Sequence, residues 1–295
     1  MMKVSGDELK GELINLNIKV MLSYGKALIA PSDVRAYLKS KGYTYKKQII
    51  SFQMLKGGVA KTTSCLNIGL RAAMYGHRVL FMDLDQQANL SLALGVDDLK
   101  IPVFLDVLEK KKTLSDVIIK LSSHVSLVPS NLNNSVIERV LLNSYRNISN
   151  AVKKQIETVL NDYDLVVIDT APSLSMLNTS VTCASDKIIL PVNPDKFTVY
   201  GMQKHLLDLD QVKKDFDLDF QEKILFTKFD GRESASQSFL DQCFDICGDK
   251  MLDQYIRTSS DVKNSISPQK TIFDSVGNGK EDYDMVSREI LGLFA

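Results

Sequence analysis

The sequence has little of several features that mark common classes of protein. No apolar run reaches the length of a membrane-spanning helix, and the N-terminus lacks the apolar stretch of a signal peptide, so we expect no interaction with a membrane. The four cysteines show no C-x-x-C spacing, which favours reduced thiols and a cytoplasmic protein. Basic and acidic residues number 36 each, which argues against a strongly basic nucleic-acid-binding protein.

The charge is nevertheless uneven, and its basic part lies near the N-terminus. Residues 1–50 hold nine basic and four acidic residues. We predict that residues 1–47 form a basic, helical extension, with a second helix that starts near Ser32 and ends at Gly42. The apolar residues that indicate the first helix are Leu9, Leu13, Leu16 and Val20. Contact with DNA or a partner protein and simple packing on the main domain are both open for this extension.

From residue 48 to residue 295, predicted strands and helices alternate. This order predicts an α/β fold with a doubly wound, mostly parallel sheet covered by helices on both faces. The chain is long enough, at 295 residues with 44% apolar content, for one large domain plus an appendage. The predicted strands are 48–54, 78–83, 125–128, 165–169, 187–192 and 223–227, and the predicted helices include 61–75, part of 130–150 and 281–293.

A segment between the first of these strands and the first of these helices has the features of a phosphate-binding loop. Residues 55–63 read L-K-G-G-V-A-K-T-T. Gly57 and Gly58 allow successive backbone N–H groups to point into one concavity, and the N-terminus of the following helix adds positive charge. Lys61 is placed to reach the β- and γ-phosphates of a nucleotide, and the Thr62 hydroxyl to ligate Mg²⁺.

Three aspartates follow predicted strands. Asp83 ends the strand 78–83, and Asp85 follows two residues later. Asp169 ends the apolar strand 165–169 in a Walker B pattern. Ligands of open α/β sheets bind at the carboxyl ends of the strands, so we expect these carboxylates near the loop. A helix cap or a solvated turn is the alternative for each aspartate alone, but the order of the three motifs favours the nucleotide site.

The loop departs from the pattern G-x-x-x-x-G-K-[ST], because Leu55 and Ala60 take both glycine positions. Written as K-G-G-x-x-K-T, it resembles the deviant Walker A box of the ParA/MinD family of dimeric ATPases. This resemblance implies that Lys56 is the signature lysine, which reaches across a dimer interface. The loop residues that it implies for ATP binding are Lys56, Gly57, Gly58, Val59, Ala60, Lys61, Thr62 and Thr63.

The aspartate segments resemble the switch regions of the same family. Residues 83–89 are similar to switch I, D-x-D-P-Q-G-N, with Gln86 in the proline position and Ala88 in the glycine position, and residues 169–172 are similar to switch II. The resemblance implies that Asp85 orients or deprotonates the attacking water. The implied catalytic residues are Asp85, Lys56 and Lys61, and those implied to hold Mg²⁺ or its water shell are Thr62, Asp83 and Asp169.

The segment T-K-F-D at residues 227–230 lies at the end of another predicted strand. It is similar to a T-x-x-D segment of the family, which implies that Asp230 contributes to ATP binding. Taken alone, the same letters match the guanine-binding pattern [NT]-K-x-D, so GTP is the alternative nucleotide.

Within the family, the chain resembles ParA and Soj. The resemblance implies a weak ATPase that dimerises on ATP, binds DNA without sequence preference, associates with the nucleoid and is reset by hydrolysis that a ParB-like centromere-binding partner stimulates. The candidate DNA contacts are Arg232, Arg257, Lys263 and Lys270. Residues 223–295 hold nine basic and twelve acidic residues, so a basic patch there depends on geometry.

Two alternative functions stay open at this stage. A MinD-like positioning ATPase needs a basic amphipathic C-terminal helix, whereas the last eleven residues carry one basic and one acidic residue. A nucleotide-gated DNA-binding regulator with little turnover is the other alternative, because Gln86 and Ala88 depart from the switch I pattern.

Overall fold

A central sheet organises the computed structural model, which describes residues 6–23, 26–145, 147–264, 271–275 and 277–293. Within these ranges seven strands form the sheet, in the order β5-β6-β4-β7-β3-β8-β9, and β1 and β2 form a separate antiparallel hairpin. The strands are β1 Val20–Ser23, β2 Lys26–Ile29, β3 Gln48–Phe52, β4 Val79–Asp83, β5 Ile119–Lys120, β6 Val125–Val128, β7 Leu165–Asp169, β8 Lys187–Val192 and β9 Gln221–Phe226. All neighbours in the large sheet pair in parallel except β5 and β6. The predicted doubly wound α/β fold is therefore confirmed.

Helices cover both faces of this sheet. In chain order they are α1 Gly6–Asn15, α2 Pro31–Ser40, α3 Lys61–Met74, α4 Asn89–Ala93, α5 Phe104–Leu108, α6 Leu114–Val117, α7 Ile137–Ser144, α8 Ser149–Glu157, α9 Met176–Ala184, α10 Lys196–Phe216, α11 Ser234–Cys247, α12 Ser260–Asn264 and α13 Asn278–Leu291. Short 3₁₀ turns lie at Leu132–Val136, Gly248–Lys250 and Ile272–Asp274. Among the described residues no helix is both long and apolar enough to cross a membrane.

The central strand β7 shows why both faces must be covered. Its side chains alternate: Leu165 and Val167 pack in the layer that contains α3 and α13, and Val166 and Ile168 pack in the layer that contains α8 and α9. All four are at most 1% exposed. Full burial of such a side chain contributes about 1.5–3 kcal/mol, so β7 is held firmly between the two layers and its last residue is fixed in space.

The structure corrects the helical interpretation of the N-terminal extension. Asn17 adopts a left-handed conformation, with φ of 53°, and ends α1, after which Val20 enters the hairpin and pairs with Ile29. Within residues 130–150, by contrast, the structure has the predicted helix, as α7, and the start of α8, with residue 146 outside the described residues. The apolar spacing alone made Val20 a fourth helical position, although Asn17, after glycine the residue type that most often ends a helix in this conformation, was a stop signal that the prediction did not use.

The second helix of the extension packs against the end of the main domain. Arg35 of α2 donates two hydrogen bonds to the Asp164 carboxylate, at 2.6 and 3.1 Å, and one to Gly76 O at 2.7 Å. Its guanidinium also lies 3.9 Å from the centre of the Tyr45 ring. A Cβ on Gly76 would lie 2.7 Å from the Arg35 Cβ, so the glycine is required for this approach. That residues 1–47 form a separate unit stays a prediction.

A buried histidine lies beside this contact. His77 is 3% exposed, and its Nε2 lies 3.1 Å from the Tyr43 hydroxyl. Burial lowers the pKa of His77 to about 4, below its ordinary value, although the Asp164 carboxylate acts in the opposite direction. The imidazole is therefore neutral in the folded protein at pH 7.

This shift predicts a pH-dependent contribution to stability. Because the pKa of His77 is lower in the folded state, its stabilising contribution is present above pH 6.5 and is lost as the pH falls towards 4, by about 1.4 kcal/mol per pH unit. We expect the difference in unfolding free energy between wild type and His77→Gln, from urea titrations at several pH values, to shrink across this window. Parallel curves of unfolding free energy against pH for the two proteins would contradict a lowered pKa of His77. The comparison with the variant cancels the titration of other groups.

Candidate nucleotide site

The predicted phosphate loop joins β3 to α3. Gly58 and Ala60 both have positive φ, 75° and 70°, so the loop reverses twice within three residues before α3 begins at Lys61. A Cβ on Gly57 or Gly58 would meet no heavy atom of the described chain within 4 Å, so the concave side of the loop is open. Val59, by contrast, is 1% exposed and anchors the loop in the core. An open concavity at a helix N-terminus fits a phosphate group.

Two residues at the end of β9 support the loop from outside. The Lys228 ammonium donates a hydrogen bond to Gly58 O at 2.6 Å, and the single proton of the Thr227 hydroxyl is shared between Val192 O at 3.0 Å and Val59 O at 3.2 Å. The sequence analysis singled out this segment only as a possible base-binding motif and missed its role as a support. The signal was present, because the segment ends a strand that neighbours β8 and so lies on the same edge of the sheet as the loop.

The support by Lys228 gives a testable consequence for nucleotide binding. Both partners of this hydrogen bond are exposed, so it contributes about 0.5–1.5 kcal/mol, and Lys228→Met is expected to weaken Mg-ATP binding about two- to tenfold. Titration with a fluorescent ATP analogue measures the change. Lys214→Met, which removes an exposed lysine at the end of α10, is the control and is expected to bind like wild type. Equal affinities for all three proteins would show that the loop keeps its shape without Lys228.

Lys61 lies inside the site. It is 7% exposed, and its Nζ is 3.5 Å from Lys56 O. Burial lowers the pKa of Lys61, while the Asp169 and Asp85 carboxylates act in the opposite direction. A buried ammonium with so little direct hydrogen bonding is well prepared to bind an anion.

The aspartates meet at the carboxyl ends of neighbouring strands, as predicted. Asp83 ends β4 and pairs in register with Asp169, which ends β7. The Thr62 hydroxyl donates to Asp169 Oδ2 at 2.6 Å, whereas the buried Oδ1 has no hydrogen-bond partner among the described residues. Burial, together with the nearby Asp83 carboxylate, raises the pKa of Asp169 to about 8.

This donor set fits a hard divalent cation. A hydroxyl and a carboxyl with one unsatisfied oxygen are ligands that Mg²⁺ prefers, and a bound cation would favour the ionised form of Asp169. No cluster of three His, Cys, Asp or Glu side chains preformed for a metal exists in the described part of the chain. That agrees with a Mg²⁺ site in which phosphate oxygens and waters supply the remaining ligands. Thr62 and Asp169 as metal ligands stay predictions.

Asp83 has its own protein partners in this conformation. It is fully buried and accepts hydrogen bonds from Ser91 N at 2.8 Å, Ser91 Oγ at 2.7 Å and Asp85 N at 3.2 Å. Burial raises the pKa of Asp83 to about 7. Ser91 was missed from the sequence because it lies eight residues downstream, in α4. The expected contact of Asp83 with the water shell of Mg²⁺ stays a prediction.

The other switch I aspartate is held by its own turn. Asp85 is 7% exposed, and its Oδ1 accepts from Gln87 N at 2.9 Å. Because the pKa of buried Lys61 responds to Asp85, the two side chains lie within electrostatic reach of each other. A carboxylate so placed can take a proton from a water above the phosphate loop, provided that the side chain turns away from Gln87.

Lys56 forms an ion pair at the edge of the loop. Its Nζ lies 2.5 Å from Asp195 Oδ1, and its side chain is 33% exposed. Asp195 also caps α10 by accepting from Phe197 N at 2.9 Å and Thr198 N at 3.2 Å. The sequence analysis did not identify Asp195 as a partner. The lysine is thus held within its own subunit in this structure.

Comparisons with known proteins fit this arrangement. A family model described as an AAA domain matches residues 47–222. A virulence-plasmid ParA family protein of Chlamydia trachomatis is 30% identical over 251 residues, which span 82% of this chain and 93% of that protein. The chain belongs to the ParA/Soj-like family of AAA-domain ATPases.

Two further matches extend over most of the chain. The sporulation initiation inhibitor protein Soj of Bacillus subtilis is 28% identical over 251 residues, 82% of this chain and 98% of that protein. The structure of cobyrinic acid a,c-diamide synthase from Mycobacterium smegmatis with bound ADP and magnesium superposes with a TM-score of 0.72 at 25% identity, over 83% of this chain and 94% of that one. The predicted family and fold are therefore confirmed.

Against the switch I pattern of the ParA/Soj-like family, Ala88 occupies the glycine position, and the structure shows its consequence. Ala88 has φ of 55° and precedes α4, so it adopts the left-handed conformation that glycine takes more easily. A non-glycine residue there costs about 1–2 kcal/mol. The turn that positions Asp85 is therefore strained in this member of the family.

The remaining candidate site residues lie outside the loop. Asp230 binds the Arg232 guanidinium at 2.6 Å, and Arg257 forms a bidentate pair with Asp282 that fixes α13. Lys263 lies on α12, and Lys270 lies outside the described residues. The structure thus shows acidic partners for both arginines. Their contacts with DNA, and that of Asp230 with ATP, stay predictions.

Proposed function

We propose that this protein is a DNA partition ATPase that traps Mg-ATP between two subunits. The dimer binds DNA without sequence preference on the nucleoid in the cytoplasm, and hydrolysis stimulated by a ParB-like partner returns it to monomers. Such a cycle moves or positions plasmid or chromosome DNA. Membership of the ParA/Soj-like family supports this proposal.

One observation carries the proposal most strongly. Two lysines of a single loop have opposite environments: Lys61 is buried beside the carboxylates, and Lys56 is half-buried at the outer edge of the loop. The inner lysine serves the nucleotide of its own subunit. The outer lysine can leave Asp195 at small cost, because a solvent-exposed ion pair contributes at most about 1 kcal/mol. It can then reach a nucleotide held by a partner.

The chemistry follows from the placement of these groups. Backbone N–H groups of residues 57–61 bind the phosphates, and Lys61 neutralises charge that develops on the γ-phosphate. Thr62 and Asp169 would hold Mg²⁺, which supplies further charge neutralisation when it is bound. Asp85 orients the attacking water and takes up its proton. Lys56 of the second subunit completes the site, which couples turnover to dimer formation.

Phosphate release with and without DNA tests the catalytic part of the proposal. We expect slow release by the protein alone, and faster release when DNA and a ParB-like partner are present together. The Lys61→Met variant is the matched control for contaminating phosphatase activity. Phosphate release by wild type that equals release by Lys61→Met would favour the nucleotide-gated regulator, which the strained turn at Ala88 supports.

The other alternative, a MinD-like positioning ATPase, finds less support. The apolar face of α13 is occupied, because Tyr283, Val286 and Ile290 are at most 3% exposed and pack in the layer that contains α3. A helix that binds a membrane surface needs a free apolar face. We therefore favour DNA over a membrane surface as the partner of the dimer.

A further inference from the structure

A second cavity lies at the opposite edge of the sheet from the phosphate loop. Its volume is about 940 Å³, and its walls include Gln48, Leu165 and Lys187, which begin β3, β7 and β8. The phosphate loop follows the other end of β3, so about 16 Å of strand separates the two sites. The segment 41–46 and the end of α13 close the cavity from the sides. Its volume lies within the range of pockets that bind small molecules.

The wall contains a buried cation with unused hydrogen-bonding capacity. Lys187 is 9% exposed, and its ammonium donates one hydrogen bond, to Ile290 O at 2.9 Å. No carboxylate of the described residues forms an ion pair with it, and its acidic neighbours are engaged elsewhere: Glu289 accepts from Asp253 N and Gln254 N, and Asp186 accepts from Ile49 N. An ammonium has three donors, so two stay available to an anion. A buried ammonium whose donors lack acceptors destabilises the fold unless a ligand supplies the acceptors.

The same wall contains a buried acceptor without a partner. The Tyr43 hydroxyl donates its proton to Leu291 O at 3.0 Å, so it accepts from His77 Nε2. The neutral imidazole thus carries its proton on Nε2, and Nδ1 is a bare acceptor. That Nδ1 is buried and has no hydrogen-bond partner among the described residues. Because this atom has almost no accessible surface, a ligand in the cavity does not reach it.

The rest of the lining is suited to an organic molecule rather than to an inorganic ion. The rings of Tyr43 and Tyr75 and the side chain of Leu38 supply apolar surface. Lys46 also lines the cavity and adds positive charge, whereas Arg288 is paired with Asp284, and the carboxylates of Asp164 and Glu289 lie in the lining as well. A ligand that binds here therefore combines a negative group with an aromatic or apolar body.

We propose that this cavity is a binding site for a small organic anion, with its carboxylate, sulfonate or phosphate on Lys187 and its aromatic or apolar body against Tyr43, Tyr75 and Leu38. The proposal does not depend on the partition function. Because the walls come from both the N-terminal extension and α13, an occupant joins two parts of the chain that lie far apart in sequence. Binding would stabilise the fold by linkage.

Two matched dyes test the proposal. 8-Anilinonaphthalene-1-sulfonate carries an aromatic body, an N–H donor and a sulfonate, and N-phenyl-1-naphthylamine is the same molecule without the sulfonate. In fluorescence titrations of the whole chain with Mg-ATP present, we expect saturable binding of one sulfonated dye per subunit. Its affinity should be at least tenfold higher than that of the neutral dye.

Variants assign the binding to the cavity. Lys187→Met should remove the preference for the sulfonated dye, and Lys154→Met, which removes an exposed lysine on α8, should leave the binding of both dyes unchanged. The midpoint of thermal unfolding, followed by circular dichroism, checks that each variant is folded. Non-saturable binding, displacement of the dye by Mg-ATP, or an unchanged preference in folded Lys187→Met would each overturn the proposal.

Discussion

Replacing Asp85 with alanine is expected to lower the rate of phosphate release at least about 100-fold while leaving Mg-ATP bound. Removal of a positioned general base typically costs a factor of 10²–10⁴. The loop that holds the phosphates does not depend on this side chain, because the hydrogen bond that Asp85 Oδ1 accepts comes from its own turn, at Gln87 N. Single-turnover phosphate release and binding of a fluorescent ATP analogue measure the two effects separately.

A conservative variant separates proton transfer from positioning. Asp85→Asn keeps an acceptor for Gln87 N but cannot take up a proton, so its rate should fall nearly as far as that of the alanine variant. Asp97→Ala removes an exposed carboxylate farther along the same segment and should behave like wild type. Phosphate release by Asp85→Ala within a factor of three of wild type would exclude Asp85 as the base.

The second large effect is expected in folding rather than in catalysis. Arg35→Met removes one partner of Asp164, whose side chain is 4% exposed, and should lower the unfolding free energy by about 3 kcal/mol. Burial alone would raise the pKa of Asp164, but hydrogen bonds from Arg35 and Arg78 hold it well below its ordinary value. Without Arg35 the carboxylate stays buried, and among the described residues Arg78 alone is left as an ionic partner.

Urea titration followed by circular dichroism measures this change. Arg139→Met removes an exposed arginine on α7, and its unfolding free energy should stay within about 0.5 kcal/mol of wild type. Arg35→Lys keeps the charge but loses the bidentate geometry, so an intermediate value is expected. A loss below 1 kcal/mol for Arg35→Met would mean that α2 contributes little to the stability of the domain.

These two predictions differ in how far the sequence alone leads to them. Asp85 follows from the sequence, because an apolar strand that ends in D-x-D places both carboxylates at the ligand-binding edge of a parallel sheet. The strands β6, β7 and β8 were also predicted directly from their apolar runs, and the predicted bounds agree with the structure. A continuous run of buried residues leaves a strand few alternatives.

The interactions that the sequence did not reveal join residues far apart in the chain. Arg35 and Asp164 lie 129 positions apart, and Lys56 and Asp195 lie 139 apart. Nothing in the local pattern of either residue specifies its partner. The hairpin of β1 and β2 was missed for a different reason. Asn17 ends α1 in a left-handed conformation, but the apolar residues before and after it are spaced as in one continuous helix.

The central claim is that Lys56 acts on the nucleotide of a second subunit. Size exclusion with light scattering, in Mg-ATP and in Mg-ADP, tests it most directly on wild type, Lys56→Ala and Asp85→Ala. We expect wild type to dimerise in ATP only, Asp85→Ala to stay dimeric in ATP, and Lys56→Ala to elute as a monomer throughout. Identical elution of all three proteins in both nucleotides would contradict the claim.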